Sequence, residues 1–315
     1  MSYRADEWKF TKIYADSKIL DLSNNKIDNI ENGAFYGLSK LIYLSLRNNK
    51  LKNIEAETFF GLESIKEIQL SENQIRKIDP MAFNYLTKIE FLALNKNYIV
   101  NISELTFKNL TFLRELQLNY NHIESLVNNI FNDLSCLETL FLFSNGINYL
   151  DAEIFMNIKD LISLNLGNNS LKTIDLRYLR KLEILYLDFN QFSTFKTNLS
   201  GKINNSNKTL FCHLSTIKRL YLDGNPLVHL NSSFFESNGI VPSLVCLSIC
   251  YCQLESIDND AFKQYKNLEL LLMERNRLLF LNNTIIAGLS ALRYVRMDQK
   301  AISGSMSDLK FLYPM

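Results

Sequence analysis

Apolar residues recur along this chain with a period of about 24 residues, and within each period the rhythm changes. Leu41, Leu44, Leu46, Asn49, Leu51, Ile54, Phe59 and Leu62 are followed, at the same offsets, by Ile65, Ile68, Leu70, Asn73, Ile75, Ile78, Phe83 and Leu86. Copies of the pattern L-x-x-L-x-L-x-x-N-x-L-x-x-L-x-x-x-x-F-x-x-L begin at Ser17, Leu41, Ile65, Ile89, Leu113, Leu137, Leu161, Leu182, Ile217, Leu244, Leu268 and Leu292. Inside L-x-L the apolar residues alternate with variable ones, the two-residue period of a short strand with one buried face. A strand this short cannot bury its apolar face alone. Twelve stacked in parallel about 4.8 Å apart create a continuous core and a sheet arc of roughly 50 Å.

The ninth residue of a copy is asparagine in ten of twelve: Asn25, Asn49, Asn73, Asn97, Asn121, Asn145, Asn169, Asn190, Asn225 and Asn276. Its amide carries donors and an acceptor, so it can satisfy backbone groups that lose ladder partners where the chain bends after the strand. Cys252 and Lys300 interrupt this column. Phe35, Phe59, Phe83, Phe107, Phe131, Phe155, Phe211, Phe235 and Phe262 form a second apolar spine opposite the strands. About ten residues per copy remain for the return path, which predicts turns and short helical pieces.

On these motifs the chain resembles the leucine-rich repeat family, in the 24-residue form of its extracellular members: Toll-like receptors, small leucine-rich proteoglycans and repeat-containing receptors. The resemblance implies a β-rich α/β-type solenoid, a curved right-handed superhelix with one concave parallel sheet of about 12 short strands. The repeat domain spans residues 17–302, with an N-terminal flank over 1–16 and a C-terminal flank over 303–315. Extracellular relatives close their ends with cysteine-rich caps, and neither cap is visible, so the chain reads as a fragment of a longer product. Trp8, Phe10, Ile13 and Tyr14 are available to cover the first copy, and Leu309, Phe311, Leu312 and Tyr313 the last.

Composition narrows the function. With 34 basic and 33 acidic residues the net charge is +1, which gives no reason to expect nucleic acid or an anionic membrane as partner. No run of about 18 apolar residues suggests insertion into a membrane. His122, His213 and His229 fall at unrelated places in the repeat, and no H-E-x-x-H, G-x-S-x-G or phosphate-cradling glycine loop is present, so no enzyme and no cofactor is expected. Cys136, Cys212, Cys246, Cys250 and Cys252 do not pair by inspection. Cys246 and Cys250 share the outward face of one strand about 13 Å apart, too far for a disulfide, and the C-x-x-x-C-x-C spacing alternates in direction, against a metal site.

Eight N-x-S/T acceptors occur, at Asn101, Asn109, Asn168, Asn198, Asn204, Asn207, Asn231 and Asn282, where chance would supply about four or five. None falls on an outward strand position. The repeat at Leu161 is three residues short, and the next is eleven too long through a polar stretch, an extended loop over 196–210. Loops of this kind are either tolerated insertions or added binding contacts.

The third, fifth and seventh residues of each copy face outward from the sheet. These places hold Phe141 and Phe143, then Tyr186 with Asp188 and Tyr221 with Asp223, the predicted ligand-binding residues; Glu274 and Asp298 extend the acidic column. Aromatic side chains on a rigid sheet contribute contact area for little rotamer entropy, and the acids favour a basic segment of a protein partner. The expected function is a non-catalytic protein-recognition scaffold, secreted or at the cell surface. The alternative is an intracellular adaptor or regulatory subunit, supported by the charged opening residues and unpaired cysteines.

Overall fold

The L-x-L alternation yields one three-residue strand per repeat in the computed structural model, which describes residues 16–194, 211, 213–231, 243–279 and 284–297. The chain divides into two compact units at Leu161, the first residue of the short repeat. In the first unit, β1 (Ile19–Asp21), β2 (Tyr43–Ser45), β4 (Glu67–Gln69), β6 (Phe91–Ala93), β7 (Glu115–Gln117) and β8 (Thr139–Phe141) lie side by side in a parallel sheet. Two-residue strands β3 (Asn53–Ile54) and β5 (Lys77–Ile78) pair separately on the return path, which the apolar periodicity did not foretell.

The second unit repeats this plan with β9 (Ser163–Asn165), β10 (Ile184–Tyr186), β11 (Arg219–Tyr221), β13 (Cys246–Ser248), β15 (Leu270–Leu272) and β16 (Tyr294–Arg296). Here β12 (His229–Leu230) pairs with β14 (Ser256–Ile257) on the return path. Among the described residues the twelve sheet strands thus number one per repeat, and their registers place leucine or isoleucine on its counterpart: Leu44 on Ile68, Leu92 on Leu116, Leu185 on Leu220, Leu247 on Leu271. Among the described residues helix is confined to a 3-10 turn at Ala152–Phe155, whose first turn Asp151 caps by accepting from the Glu153 amide, and to α1 (Thr284–Ala287).

Behind the first sheet the phenylalanines stack. Phe35, Phe59, Phe83 and Phe107 follow one another at ring separations of 6.2, 5.8 and 6.4 Å, and all are fully buried. Phe131 and Phe155 continue the column, and Phe211 and Phe262 occupy it in the second unit; Phe235 lies outside the described residues. Phe192 joins the core from the place where other repeats carry leucine or isoleucine.

The bend after each strand has a shared conformation. The residue before the ladder position is left-handed, with φ between 51 and 59° at Asn24, Asn48, Glu72, Lys96, Tyr120, Ser144, Asn168, Phe189 and Arg275, each before an asparagine, and at Tyr251, before Cys252. That region disfavours side chains with a Cβ, so the surroundings must hold it. The amides of Asn24, Asn48, Glu72, Lys96, Tyr120, Asn168, Phe189 and Tyr251 donate to the next repeat, as Asn48 does to Ser71 O at 3.0 Å and Tyr120 to Phe143 O at 2.9 Å. The following asparagine then knits two turns of chain through three backbone groups: Asn121 Nδ2 donates to Leu94 O at 3.1 Å and Leu118 O at 2.9 Å, while its Oδ1 accepts from the Ile99 amide at 3.0 Å.

The same pattern holds for Asn49, Asn73, Asn97, Asn145, Asn190 and Asn225, and Asn276 donates to Ile249 O and Met273 O. Asn169 donates to Leu166 O. Asn25, in the first repeat, is exposed and donates only to Leu22 O and Ser23 O. Cys252 imitates half of the motif: its thiol donates to Leu222 O at 3.5 Å, but the Leu227 amide turns to Asn225 O instead. Lys300 lies outside the described residues.

Candidate functional site

In each unit the sheet strands present one leucine-lined face and one face of variable residues, and the second is where a ligand could be met. In the first unit that face is mostly polar. Gln69 and Gln117 donate to Glu67 and Glu115 two residues earlier, closing small same-face pairs. Phe91, Phe141 and Phe143 stand half-buried among them, and Tyr120 meets the Phe143 ring edge-on at 5.3 Å.

The variable face of the second unit is different. β10 and β11 pair in register with Tyr186 opposite Tyr221, and the two rings stack at 4.5 Å, 4° from parallel. Two residues on, where the strands end, come Asp188 and Asp223. Asp223 accepts from the Ser248 hydroxyl and the Cys250 amide, each at 2.6 Å. Asp188 lies over Gly167, where a Cβ would stand 2.7 Å from a carboxylate oxygen, so only glycine leaves that space. The structure therefore brings Tyr186, Asp188, Tyr221 and Asp223 together in one unit, with Phe141 and Phe143 in the other.

Electrostatics set this cluster apart. Burial pushes the Asp188 carboxyl up to about 6, with the Asp223 charge adding to the effect. Burial also raises Asp223, although its hydrogen bonds oppose the shift. Burial, then the neighbouring Cys246 and Tyr186, push the Tyr221 hydroxyl up to about 12. Among the described residues no lysine or arginine forms an ion pair with either carboxylate. Two half-buried carboxylates without a cation are costly, and a cation brought by a partner would relieve both.

The sign of the Asp188 shift sets a pH dependence of stability. The folded carboxyl titrates near 6 against 3.8 ordinarily, so between these values the folded chain holds the extra proton. The stability it contributes is fully present below the ordinary value and is lost as pH rises through 6. Asp188→Asn should therefore raise the urea midpoint at about pH 7.5 and change it little at about pH 4. An equal change at both pH values would sink the burial explanation.

Cys246, Cys250 and Cys252 are buried with free thiols; Cys136 is free and half-buried, and Cys212 lies outside the described residues. Cys246 and Cys250 do occupy variable-face places, but Cys246 is covered by Tyr221 and Cys250 by the Ser248 and Asp223 side chains. Burial raises all three thiols, Cys252 to about 12, which leaves them un-ionised and inert. Among the described residues no cluster of histidine, cysteine and acidic groups could hold a metal ion. Of the acceptor asparagines, Asn101, Asn109 and Asn168 are exposed and Asn231 is half-buried; Asn198, Asn204, Asn207 and Asn282, like the loop over 196–210 and Asp298, lie outside the described residues. No helix among the described residues is long and apolar enough to cross a membrane.

Sequence reasoning missed Ser248 and Gly167. Both are variable-face residues that act on the acids of neighbouring repeats, and a glycine in the seventh place immediately before an aspartate in the same column was the available signal.

The repeat pattern and the fold agree with known proteins. A family model described as leucine rich repeat matches residues 18–75, 43–99, 90–147, 142–192 and 242–302. No curated protein matches the chain. Among solved structures, the chain is similar to an internalin (InlF) from Listeria monocytogenes at 21% identity, covering 89% of this chain and 73% of that one, with a TM-score of 0.69. TLR13 in complex with a single-stranded RNA matches at 24% identity and a TM-score of 0.72, over 89% of this chain and 43% of the other. A leucine-rich repeat protein of Leptospira interrogans matches at 22% identity and 0.69, over 89% and 78%. At these identities the likeness speaks to the fold alone.

Proposed function

Because this chain belongs to the leucine-rich repeat family, whose model matches well over half of its residues, we propose that it is a non-catalytic protein-recognition scaffold, secreted or at the cell surface. It holds a protein ligand on the variable face of its strands, centred on Tyr186, Asp188, Tyr221 and Asp223. One observation carries this reading: a stacked tyrosine pair beside two half-buried carboxylates that pair with no cation among the described residues, on one sheet. The tyrosines offer flat contact area and the acids select a lysine or arginine, so the ligand presents a basic residue flanked by apolar ones. The single-stranded RNA in the TLR13 complex is that protein's partner; the acids here would repel a phosphate backbone.

The 24-residue period with phenylalanine and the exposed acceptors Asn101, Asn109 and Asn168 favour an extracellular setting. The competing reading, an intracellular adaptor, draws on the free thiols. Three of those thiols are buried packing residues that would be inert in either compartment, so they do not separate the two.

The test is selection of binders from a random peptide library displayed on phage, with the whole chain as bait. Enrichment of Lys or Arg beside apolar residues is expected, with binding at least tenfold weaker in Tyr186→Ser/Tyr221→Ser and lower below about pH 6, where Asp188 becomes neutral. Binders with no basic preference, or indifferent to the double substitution, would refute the site. Phe141→Ser, made separately, asks whether the first unit also touches the ligand.

A further inference from the structure

A second recessed place lies in the first unit, on the flank of the sheet where the chain bends through the asparagine ladder. Two columns of side chains run down that flank. The residues before the ladder asparagines are Glu72, Lys96, Tyr120 and Ser144, and those after them are Gln74, Tyr98, His122 and Gly146. Both columns rise to rings and then fall, in the same repeat, to a small residue. The result is a step with a cavity of about 580 Å³, lined by Tyr120 and His122 and by Ser144, Asn145 and Gly146 of the next repeat.

The stacking in the second column is unfinished. Arg76 lies over the Tyr98 ring at 5.7 Å, and Tyr98 meets the His122 ring at 5.7 Å with a 33° tilt. The next place is Gly146. Its φ is not left-handed, so backbone conformation does not call for glycine there; the nearest atom to an added Cβ would be Glu124 Cγ at 3.2 Å, on a flexible side chain, with Ile123 O and Glu124 Cα at the ordinary contact distances of 3.6 and 3.8 Å. The second unit treats the corresponding bend differently: the Phe189 ring lies on Gly224 and fills the space, since a Cβ there would stand 2.4 Å from the ring. In the first unit Tyr120 instead turns to Phe143 and leaves the step open.

The geometry points to a sugar-binding subsite: the step takes one hydroxylated pyranose ring of a glycan, stacked on His122 in the space above Gly146. A pyranose presents a face of weakly positive C–H bonds, which suits the negative π face of an aromatic ring, and an edge of hydroxyls that donate and accept. The lining supplies both partners, Lys96 as a donor and Glu124 as an acceptor. Lys96 is already paired to Glu72 at 2.8 Å, so the step offers no surplus positive charge to draw an anion. The volume lies within the range of small-ligand sites, about 300 to 1,000 Å³.

The experiment is saturation-transfer NMR and calorimetric titration of the whole chain with maltotriose, mannotriose, lactose and chitotriose. At least one sugar is expected to saturate, with ring C–H protons receiving the strongest transfer. Gly146→Tyr, which continues the column and fills the step, should weaken that sugar at least tenfold. His122→Ala, an exposed change outside the ladder, should do the same, and Tyr251→Ala, an exposed tyrosine of the other unit, should leave it unchanged. Unchanged urea midpoints will establish that the variants are folded. The assignment is overturned if none of the four sugars saturates, if binding keeps its parental strength in His122→Ala, or if tyrosine- and tryptophan-containing peptides occupy the step and no sugar displaces them.

Discussion

Replacing Phe83 by alanine is expected to destabilise the first unit by about 3 to 5 kcal/mol, the range for truncating a buried aromatic side chain. Phe83 is fully buried and stacks on both neighbours, Phe59 at 5.8 Å and Phe107 at 6.4 Å. Removing the ring forfeits its transfer free energy and leaves a gap between two rings that are themselves pinned by Phe35 and by the leucines of their own repeats. Collapse into that gap would require the repeats to shift along the strand ladder, whose hydrogen bonds resist it, so the gap stays largely unfilled. In a repeat array each turn contacts only its neighbours, and the loss therefore falls on the local interface rather than being shared. Urea unfolding followed by circular dichroism should show a midpoint shift confined to the first unit, or a separate early transition. Phe112→Ala, at a residue 58% exposed, is the control and should change stability by no more than about 0.5 kcal/mol. A Phe83→Ala midpoint equal to that control would mean the spine does not carry the packing assigned to it.

The repeat was readable because it rests on short-range physics written many times over. Leu44, Ile68 and Leu92 must all point one way for a three-residue strand to bury anything, and each new copy restates the same constraint. The residues in left-handed conformation were not readable. Glu72, Lys96, Tyr120 and Phe189 share that conformation with Asn24 and Asn48, and only asparagine advertises it locally. The others are held by amide bonds to the following repeat, Glu72 to Asn95 O, Lys96 to Asn119 O, Tyr120 to Phe143 O and Phe189 to Asp223 O, contacts far away in sequence. The candidate sites divide along the same line. Tyr186 and Tyr221 could be placed on one face from the two-residue period, whereas the burial of Asp188 depends on Gly167 and the anchoring of Asp223 on Ser248, each supplied by a neighbouring repeat. The division of the chain at Leu161 coincides with the short repeat, which the spacing revealed as an irregularity without revealing its consequence.

Asn121→Ala should cost about 3 kcal/mol, because one amide serves three backbone groups in a buried bend. The variant leaves Leu94 O, Leu118 O and the Ile99 amide without their partner, and Asn121 itself is only 5% exposed. An unsatisfied buried backbone group costs about 1 to 3 kcal/mol, and relaxation of the bend or an entering water would recover part of the total. Aspartate is no remedy: it keeps the acceptor for the Ile99 amide but replaces the donor with a charge facing two carbonyls. Asn25→Ala provides the internal comparison, since that residue is exposed and its carbonyl partners can turn to solvent; a change of at most about 0.5 kcal/mol is expected. Cys252 indicates how far the column can be relaxed. Its sulfur keeps the bond to Leu222 O at 3.5 Å, and the Leu227 amide finds Asn225 O at 2.8 Å instead, so the groups it fails to serve are satisfied by a local rearrangement of the chain. Ile99 has no such rearrangement in the structure, because its neighbours Tyr98 and His122 are bonded across repeats in the regular pattern. Equal urea midpoints for Asn121→Ala and Asn25→Ala would contradict this account, since they would mean that the mid-stack bend can find substitute partners as freely as the exposed one.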